Sequence, residues 1–175
     1  MGTIYIFRGK AATGKTVLSN MLAMKLSIPV IRKDNIVDAL KTMPNIDKSL
    51  VNNAVYYGIL QKIIQTNLDL GVDFILDIAL GDRTNAKWFY DQLNFHSNTV
   101  LSFFTTCSDE NEWERRHVER IKNPLPNQSF KSFEHVLEHY ANADVNPFDN
   151  EYIIDSAAVL DKCFDSIMKI IDERA

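Results

Sequence analysis

The segment Gly9–Thr16, with the sequence GKAATGKT, constrains the fold more than any other part of the chain. It fits the pattern GxxxxGK followed by Ser or Thr, and it comes directly after the apolar run Thr3–Arg8. Two glycines let the backbone curl so that consecutive N–H groups point inward at an anion, and a helix that begins at Lys15 adds the positive end of its dipole. The segment therefore predicts a strand, a phosphate-binding loop and a helix, in that order.

The chemistry of such a loop assigns roles to its side chains. The ammonium of Lys15 reaches the β- and γ-phosphates of a nucleoside triphosphate, and the hydroxyl of Thr16 is a ligand of Mg²⁺. Lys15 is for this reason also predicted to be catalytic. The residues predicted to bind the nucleotide are Gly9, Ala11, Ala12, Thr13, Gly14, Lys15, Thr16 and Val17.

Short β-rich runs alternate with longer helical patterns along the rest of the chain. The predicted strands are Thr3–Arg8, Ile28–Arg32, Asp73–Ile78, Thr99–Thr105 and Tyr152–Ile154. The predicted helices are Lys15–Ser27, Asp34–Thr42, Leu50–Leu70, Thr84–Leu93, Asp109–Ile121, a stretch marked by Phe130, Phe133, Leu137 and Tyr140, and Ala158–Ile171. Strands followed by helices imply right-handed crossovers, so we expect one doubly wound α/β domain over residues 1–175 with a five-stranded parallel sheet.

Composition excludes several classes of protein. The chain has 175 residues, 46% of them hydrophobic, and a formal net charge of −4, which argues against non-specific binding to nucleic acid. No apolar run is long enough to span a membrane, and no secretory signal is recognisable. Cys107 and Cys163 stand alone and are predicted to be reduced, buried thiols. We expect a cytoplasmic protein, and the sequence does not indicate its oligomeric state.

With this loop at its start, the chain resembles the P-loop kinases. It is most similar to the small AAA-type kinase-like family that includes polynucleotide 5′-kinase, chloramphenicol phosphotransferase and nucleoside monophosphate kinase-like domains. The resemblance implies binding of ATP and Mg²⁺ and a short helical lid at about residues 115–142. No NKxD signature for guanine occurs in the sequence.

The resemblance also implies a function for an acid after the second strand, in the sequence Arg32-Lys33-Asp34-Asn35. In such kinases an acid at this strand end faces the acceptor hydroxyl, so Asp34 is a candidate catalytic base that binds the substrate. Capping of the following helix is the alternative for Asp34. The family often has an arginine three residues further on, where this chain has Val37, and Lys33 could replace only its charge.

Two further residues near the third strand are candidates. Asp77 ends an apolar strand beside the loop strand, as the Walker B carboxylate does, and is predicted with Thr16 to hold Mg²⁺. An ordinary strand-end acid is the alternative. Arg83 resembles an arginine that contacts the acceptor in nucleoside monophosphate kinases, although the spacing here is longer, and a solvated arginine is its alternative.

A third cluster precedes the proline-containing loop 123–129. Arg116 and Arg120 are four residues apart on one helical face and resemble the lid arginines of P-loop kinases, so both are predicted to be catalytic. A solvated charged helix is the alternative. His135 and His139 are predicted to lie on a solvated face, and the Phe130–Tyr140 stripe to pack in the core or lid.

Together these residues predict an ATP- and Mg²⁺-dependent phosphotransferase that acts on a hydroxyl or phosphate of a small molecule. A 5′-hydroxyl polynucleotide kinase is one alternative, which the net charge of −4 disfavours. An ATP-binding regulatory module without phosphotransfer is another. The sequence does not identify the acceptor.

Overall fold

The protein is described here from a computed structural model, which covers residues 1–174. The strands are β1 (Thr3–Gly9), β2 (Val30–Arg32), β3 (Phe74–Asp77), β4 (Thr99–Thr106) and β5 (Glu151–Asp155). The helices are α1 (Lys15–Leu26), α2 (Lys33–Thr42), α3 (Asn53–Leu70), α4 (Arg83–Tyr90), α5 (Glu110–Lys122), α6 (Phe133–Tyr140) and α7 (Leu160–Asp172). A single 3₁₀ turn, Lys48–Leu50, precedes α3.

The five strands form one parallel sheet in the order β2-β3-β1-β4-β5, which confirms the predicted fold class. In the register of the central strands, Phe7 pairs with Asp77 on one side and with Phe103 on the other. The carboxyl ends of all five strands therefore meet at one edge. In a sheet of this kind, that edge is where ligands bind.

Each face of the sheet has its own hydrophobic core. On one face, α1 and α7 pack against β1 and β4 through Leu18, Leu22 and Ile167, which are fully buried. On the other face, α3 and α4 cover β1 and β3 through Leu60, Ile64, Leu68 and Phe89. Within residues 1–174, no helix is both long and apolar enough to cross a membrane.

The capping residues of the helices explain where the observed helix boundaries differ from the predicted ones. Helix α3 begins at Asn53 instead of Leu50 because the side chain of Asn52 accepts a bond from the N–H of Val55 at 3.1 Å. It ends at Leu70 as predicted, and Gly71 caps it in the left-handed conformation. In the α6 stripe Val136 is fully buried while the predicted Leu137 is exposed, because the inward face of α6 is formed by Phe133, Val136 and Tyr140 at i, i+3 and i+7.

Candidate active site

A cleft of about 960 Å³ opens at the carboxyl edge of the sheet. Its nucleotide half is formed by the loop after β1, by Asp77 and by α5. Its acceptor half is formed by α2, the start of α3 and the start of α4. The cleft brings together the predicted residues Lys15, Thr16, Asp34, Asp77, Arg116 and Arg120.

The phosphate-binding loop has the backbone that its glycines predict. Gly9 has φ of 142°, and a Cβ there would lie 2.2 Å from the carbonyl oxygen of Thr105, so no other residue fits. Gly14 has φ of 88° and caps the N-terminus of α1. The hydroxyls of Thr13 and Thr105, 2.9 Å apart, join the loop to β4. These contacts hold the loop open around a site for an anion.

The Lys15 side chain folds onto this loop. Its ammonium donates to the carbonyl oxygens of Gly9 at 3.1 Å and Lys10 at 2.6 Å. Burial lowers the pKa of Lys15 to about 8, against the opposing influence of Asp77 and Asp34. The ammonium is thus a buried cation whose hydrogen bonds within residues 1–174 all go to backbone carbonyls, in the position where a bound phosphate would pair with it.

Asp77 lies at the end of β3 with two partners on one of its oxygens. Its Oδ2 accepts from Ser19 Oγ at 3.0 Å and from Arg32 Nε at 2.9 Å, and Arg32 also contacts Ser19 and Asn20. The Oδ1 atom has no hydrogen bond among the described residues. The carboxylate has the cationic partner that its burial demands, and one oxygen is left for a further ligand.

A magnesium ion fits the residues present. Mg²⁺ takes oxygen ligands and is usually held in proteins by one or two protein groups together with phosphate oxygens and water. The Thr16 hydroxyl is exposed in the cleft and forms no hydrogen bond with another described residue. With Asp77 Oδ1 it supplies the donor set that this chemistry requires.

Asp34 lies in the first turn of α2 and points into the acceptor half of the cleft. The alternative prediction, that it caps the helix, is wrong, because α2 begins one residue earlier and Arg32 occupies the cap position without a side-chain bond. Asp34 has no hydrogen bond or ion pair to any of residues 1–174. Burial raises the pKa of its carboxyl, which Lys33 opposes and the Asp77 carboxylate reinforces.

Lys33 lies beside Asp34 and also has no hydrogen bond or ion pair within the described chain. Its ammonium sits 4.8 Å from the centre of the Tyr57 ring, and burial lowers its pKa. Tyr57 in turn packs edge-on against Trp88 with ring centres 5.7 Å apart. The acceptor half thus combines a free carboxylate, a free ammonium and an aromatic wall.

The two predicted lid arginines have different surroundings. Arg116 bonds Glu112 at 2.8 Å, and it also bonds the hydroxyl and carbonyl of Ser156 at 2.8 and 2.7 Å in the loop after β5. Among residues 1–174, Arg120 donates only to Asn127 Oδ1, at 3.2 Å. It also lies close enough to Lys15 and Asp34 to influence the pKa of each. Arg116 therefore fastens α5 to the edge of the cleft, and Arg120 faces its centre.

The structure does not bring Arg83 to the cleft, in contrast to its prediction as an acceptor contact. Its guanidinium stacks over Phe148 at 4.9 Å and lines a separate groove beside α4. The physical reason is that Asp82 caps α4, which turns the next residue away from the carboxyl edge of the sheet.

Sequence reasoning missed a set of contacts that joins the lid helices to the phosphate-binding loop. Trp113 Nε1 donates to the carbonyl oxygen of Ala11 at 2.8 Å, and His117 Nε2 lies 3.2 Å from the same atom. The N–H of Ala11 donates to Tyr140 Oη at 3.1 Å. The Lys10 ammonium lies 3.8 Å from the centre of the Trp113 ring. We refer to Trp113, His117 and Tyr140 as the Ala11 clamp.

The loop between the lid helices closes over the cleft from the other side. Lys41 of α2 donates to the carbonyl oxygen of Pro126 at 3.0 Å. Asn127 connects Arg120 to Asp38 of α2, donating to Asp38 Oδ2 at 2.9 Å. The lid therefore contacts both the nucleotide half and the helix that carries Asp34.

A nucleotide-binding loop, a parallel sheet of order 2-3-1-4-5 and a helical lid define the fold class of the small P-loop kinases. Within this class, residues 4–142 match the family model AAA_33, described as an AAA domain, and the chain belongs to that family. No curated protein with a matching sequence was found.

Solved structures share the fold over nearly the whole chain. A protein from Chloroflexus aurantiacus J-10-fl superimposes with a TM-score of 0.74 at 17% identity, covering 99% of this chain and 98% of its own. A gluconokinase from Sinorhizobium meliloti 1021 gives 0.64 at 13% identity, with 99% and 93% coverage. Shikimate kinase from Aquifex aeolicus VF5 gives 0.52 at 19% identity, with 98% and 97% coverage. At these identities the likeness is one of fold.

Proposed function

We propose that this protein is an ATP- and Mg²⁺-dependent phosphotransferase that moves the γ-phosphoryl group to a small-molecule acceptor. The observation that carries the proposal is the free Asp34 carboxylate, which shares one cleft with the phosphate-binding loop. A carboxylate without a protein partner beside a triphosphate site is suited to orient a nucleophile and accept its proton. The gluconokinase and shikimate kinase among its structural neighbours agree with a small acceptor.

The proposed reaction follows from the residues of the two halves. The acceptor oxygen forms a bond to the γ-phosphorus while the bond from that phosphorus to the β,γ-bridging oxygen breaks, which leaves ADP. The proton of the acceptor hydroxyl goes to the carboxylate of Asp34. Lys15 holds the β- and γ-phosphates, and the loop N–H groups bind the charge that stays on ADP.

Magnesium, when bound, would neutralise charge on the β- and γ-phosphates. Thr16 and Asp77 are the residues that would hold it. Arg32 would keep the Asp77 carboxylate oriented by its bond to Oδ2. These assignments make Arg32 a supporting residue of the nucleotide half.

Of the two lid arginines, we propose Arg120 as the one that stabilises the transferring group. It faces Lys15 and Asp34, and its single bond to Asn127 is easily exchanged for a phosphate oxygen. Arg116 would hold the lid in position through Ser156. Substitution of Arg120 by Lys should therefore lower kcat more than the same substitution of Arg116, with similar ATP affinity in both variants.

The test is transfer of label from [γ-³²P]ATP in the presence of Mg²⁺. The acceptors are sugars, sugar acids, aminoglycosides, nucleosides, nucleoside monophosphates and a 5′-hydroxyl oligonucleotide. Label in a small molecule, lost in Asp34→Asn, supports the proposal. Label only in the oligonucleotide would indicate a polynucleotide kinase. ATP binding without label in any acceptor would indicate a binding module.

A further inference from the structure

We propose that Lys33 and Asp34 together bind two oxygen atoms of a polyhydroxylated acceptor that carries no phosphate, and that Lys33 determines specificity for it. This inference rests on the proposed function and names the substrate class of the same site. In it, Asp34 takes the hydroxyl that is phosphorylated, and Lys33 donates to a second oxygen of the acceptor, from a hydroxyl or a carboxylate.

The first argument is that both charged groups lack a hydrogen-bond or ion-pair partner within the described chain. Lys33 and Asp34 are adjacent, opposite in charge and partly buried, yet within residues 1–174 they form no ion pair with each other or with another group. Burying a charged group without a partner costs free energy, so such groups are normally paired. Lys33 and Asp34 lie side by side in one cleft, so a bound ligand would supply the hydrogen-bond partners that they lack.

The second argument is the chemistry of the pair. A carboxylate accepts a hydrogen bond from a hydroxyl, and an ammonium donates to an oxygen lone pair. Side chains of neighbouring residues reach oxygens that are close together in one molecule, as on adjacent or alternate carbons of a polyol. The wall formed by Tyr57 and Trp88 offers an apolar face for the C–H side of such a molecule.

The third argument excludes a phosphorylated acceptor. A phosphate carries a charge of about −1.5 to −2 at neutral pH and is bound best by arginines in bidentate contacts. Every arginine that lines the described cleft comes from α5, and none comes from the acceptor half. There, the free carboxylate and the free ammonium cancel in charge, which suits a neutral or singly charged molecule.

The lid arginines do not supply the missing charge. Arg115 is exposed and bonds Glu112 at 2.6 and 2.8 Å. Arg116 is held by Glu112 and Ser156 at the nucleotide side. Arg120 faces the site of the γ-phosphate, where the charge of ATP would occupy it. Lys41 of α2 also lines the cleft, but its ammonium donates to the carbonyl oxygen of Pro126. A second polyanion in the acceptor half would therefore meet the Asp34 carboxylate with Lys33 as the one lysine of α2 that has no hydrogen bond within residues 1–174.

The first experiment compares acceptors in matched pairs, with and without a phosphate: hexose and hexose 6-phosphate, hexitol and hexitol phosphate, nucleoside and nucleoside monophosphate. ATP binding is measured separately by calorimetry. We expect transfer to at least one unphosphorylated polyol and at least ~100-fold lower kcat/KM for its phosphorylated partner. Efficient transfer to a phosphorylated acceptor overturns this inference but leaves the proposed function standing. Transfer to no acceptor at all overturns both.

The second experiment tests Lys33 with a matched control. Lys33→Gln should raise the KM for the polyol by ~10–100-fold, as expected for a charge-assisted hydrogen bond, without changing the Kd for ATP. Lys62→Gln changes an exposed lysine on α3 and should have no effect. An acceptor that lacks the second hydroxyl should be a poor substrate for the wild type. Its kcat/KM should fall little further in Lys33→Gln. An unchanged KM in Lys33→Gln contradicts the assignment.

Discussion

In the nucleotide half of the cleft the charged groups bond to the protein itself, whereas in the acceptor half they do not. Lys15 donates to two loop carbonyls, Asp77 accepts from Ser19 and Arg32, and Arg116 is fixed to Ser156. Lys33 and Asp34 have no such bonds within the described chain. The half that contains the phosphate-binding loop is therefore preformed, whereas the charged groups of the other half are left to a ligand, which under the proposed function is the acceptor.

The physical origin of this difference lies in the kind of group that each half uses. The nucleotide half is built from backbone N–H and carbonyl groups, which glycines and the Ala11 clamp hold in place. The acceptor half is built from side chains of α2, α3 and α4. Backbone groups suit a ligand that is always the same, because they do not depend on residue type. Side chains can be replaced by substitution and so can be adapted to a particular acceptor.

The largest effect is expected from Asp34→Asn, which breaks the acceptor half. We expect kcat to fall by ~10²–10⁴-fold while the Kd for ATP stays unchanged, because only the proton acceptor is lost. Single-turnover phosphotransfer and calorimetry measure the two quantities. Asp165→Asn, which changes an exposed acid of α7 that does not line the cleft, is the control. A wild-type rate in Asp34→Asn would remove this residue from the mechanism.

The dependence of kcat/KM on pH is a second test of the role of Asp34. Burial raises the pKa of Asp34, so its base form is lost at a higher pH than that of an exposed carboxyl. We therefore expect kcat/KM to decline on the acid side as pH falls through this raised pKa, and the residual activity of Asp34→Asn to lack that decline. An acid limb at an ordinary carboxyl pKa, or one that persists in Asp34→Asn, would assign the limb to another group.

Next in size is Lys15→Ala, which breaks the nucleotide half. We expect the Kd for MgATP to rise by ~10²–10³-fold, because the phosphates lose a buried cation. Lys25→Ala removes an exposed lysine of the same helix and serves as control. Since the pKa of Lys15 is about 8 in the free protein, ATP binding by the wild type should weaken as pH rises through that value. Micromolar affinity in Lys15→Ala would contradict the nucleotide-site assignment.

A smaller effect is expected from Tyr140→Phe, which opens the Ala11 clamp. The N–H of Ala11 loses its only acceptor in the described chain, so the free energy of unfolding should fall by ~1–2 kcal/mol and the Kd for ATP should rise by ~3–10-fold. Tyr152→Phe removes a hydroxyl that accepts from Arg174 at the surface, and this variant should change neither quantity. Chemical denaturation and calorimetry give both values. If the two variants behave alike, the clamp does not hold the loop.

The smallest effect concerns the stability of the acceptor half. Burial raises the pKa of Asp34 and lowers that of Lys33, so at neutral pH each charged form opposes folding. Asp34→Asn and Lys33→Gln should therefore raise Tm by ~1–3 °C while they lower activity. The contribution of Asp34 should decline as pH falls through its raised folded pKa and disappear below the ordinary pKa of an aspartate, where the carboxyl is neutral in both the folded and the unfolded chain. A fall in Tm in both variants would mean that these groups are paired in the free protein.

The fold could be predicted from the sequence because its signals are local. Gly9 and Gly14 at fixed spacing, Gly71 at a helix end and Asp109 at a helix start each determine the backbone near them. The five strands alternate with helices, so the parallel sheet followed from connectivity alone. Residues at the strand ends, such as Asp34 and Asp77, could be assigned to the cleft for the same reason.

The contacts that the sequence did not reveal are those between distant segments. The Ala11 clamp joins residues more than a hundred positions apart, and Arg8 pairs in the core with Glu151, its Nη2 2.5 Å from Oε2. The sequence did not indicate that Arg32 pairs with Asp77, because no sequence pattern identifies the partner of an arginine at a strand end. Arg83 was misassigned because a shift of a few residues after β3 turns a side chain to another face. The one sequence signal for the clamp was Trp113, an aromatic residue with an N–H donor in an otherwise charged helix.

The most direct test of the central claim measures ADP formation and acceptor phosphorylation in the same reaction, with and without the polyol identified in the acceptor screen. If the acceptor completes the site, the wild type forms one ADP for each phosphorylated acceptor and little ADP without it. Asp34→Asn then loses both products while it still binds ATP. ADP formed at the same rate with and without the polyol, or full phosphorylation by Asp34→Asn, would contradict the account.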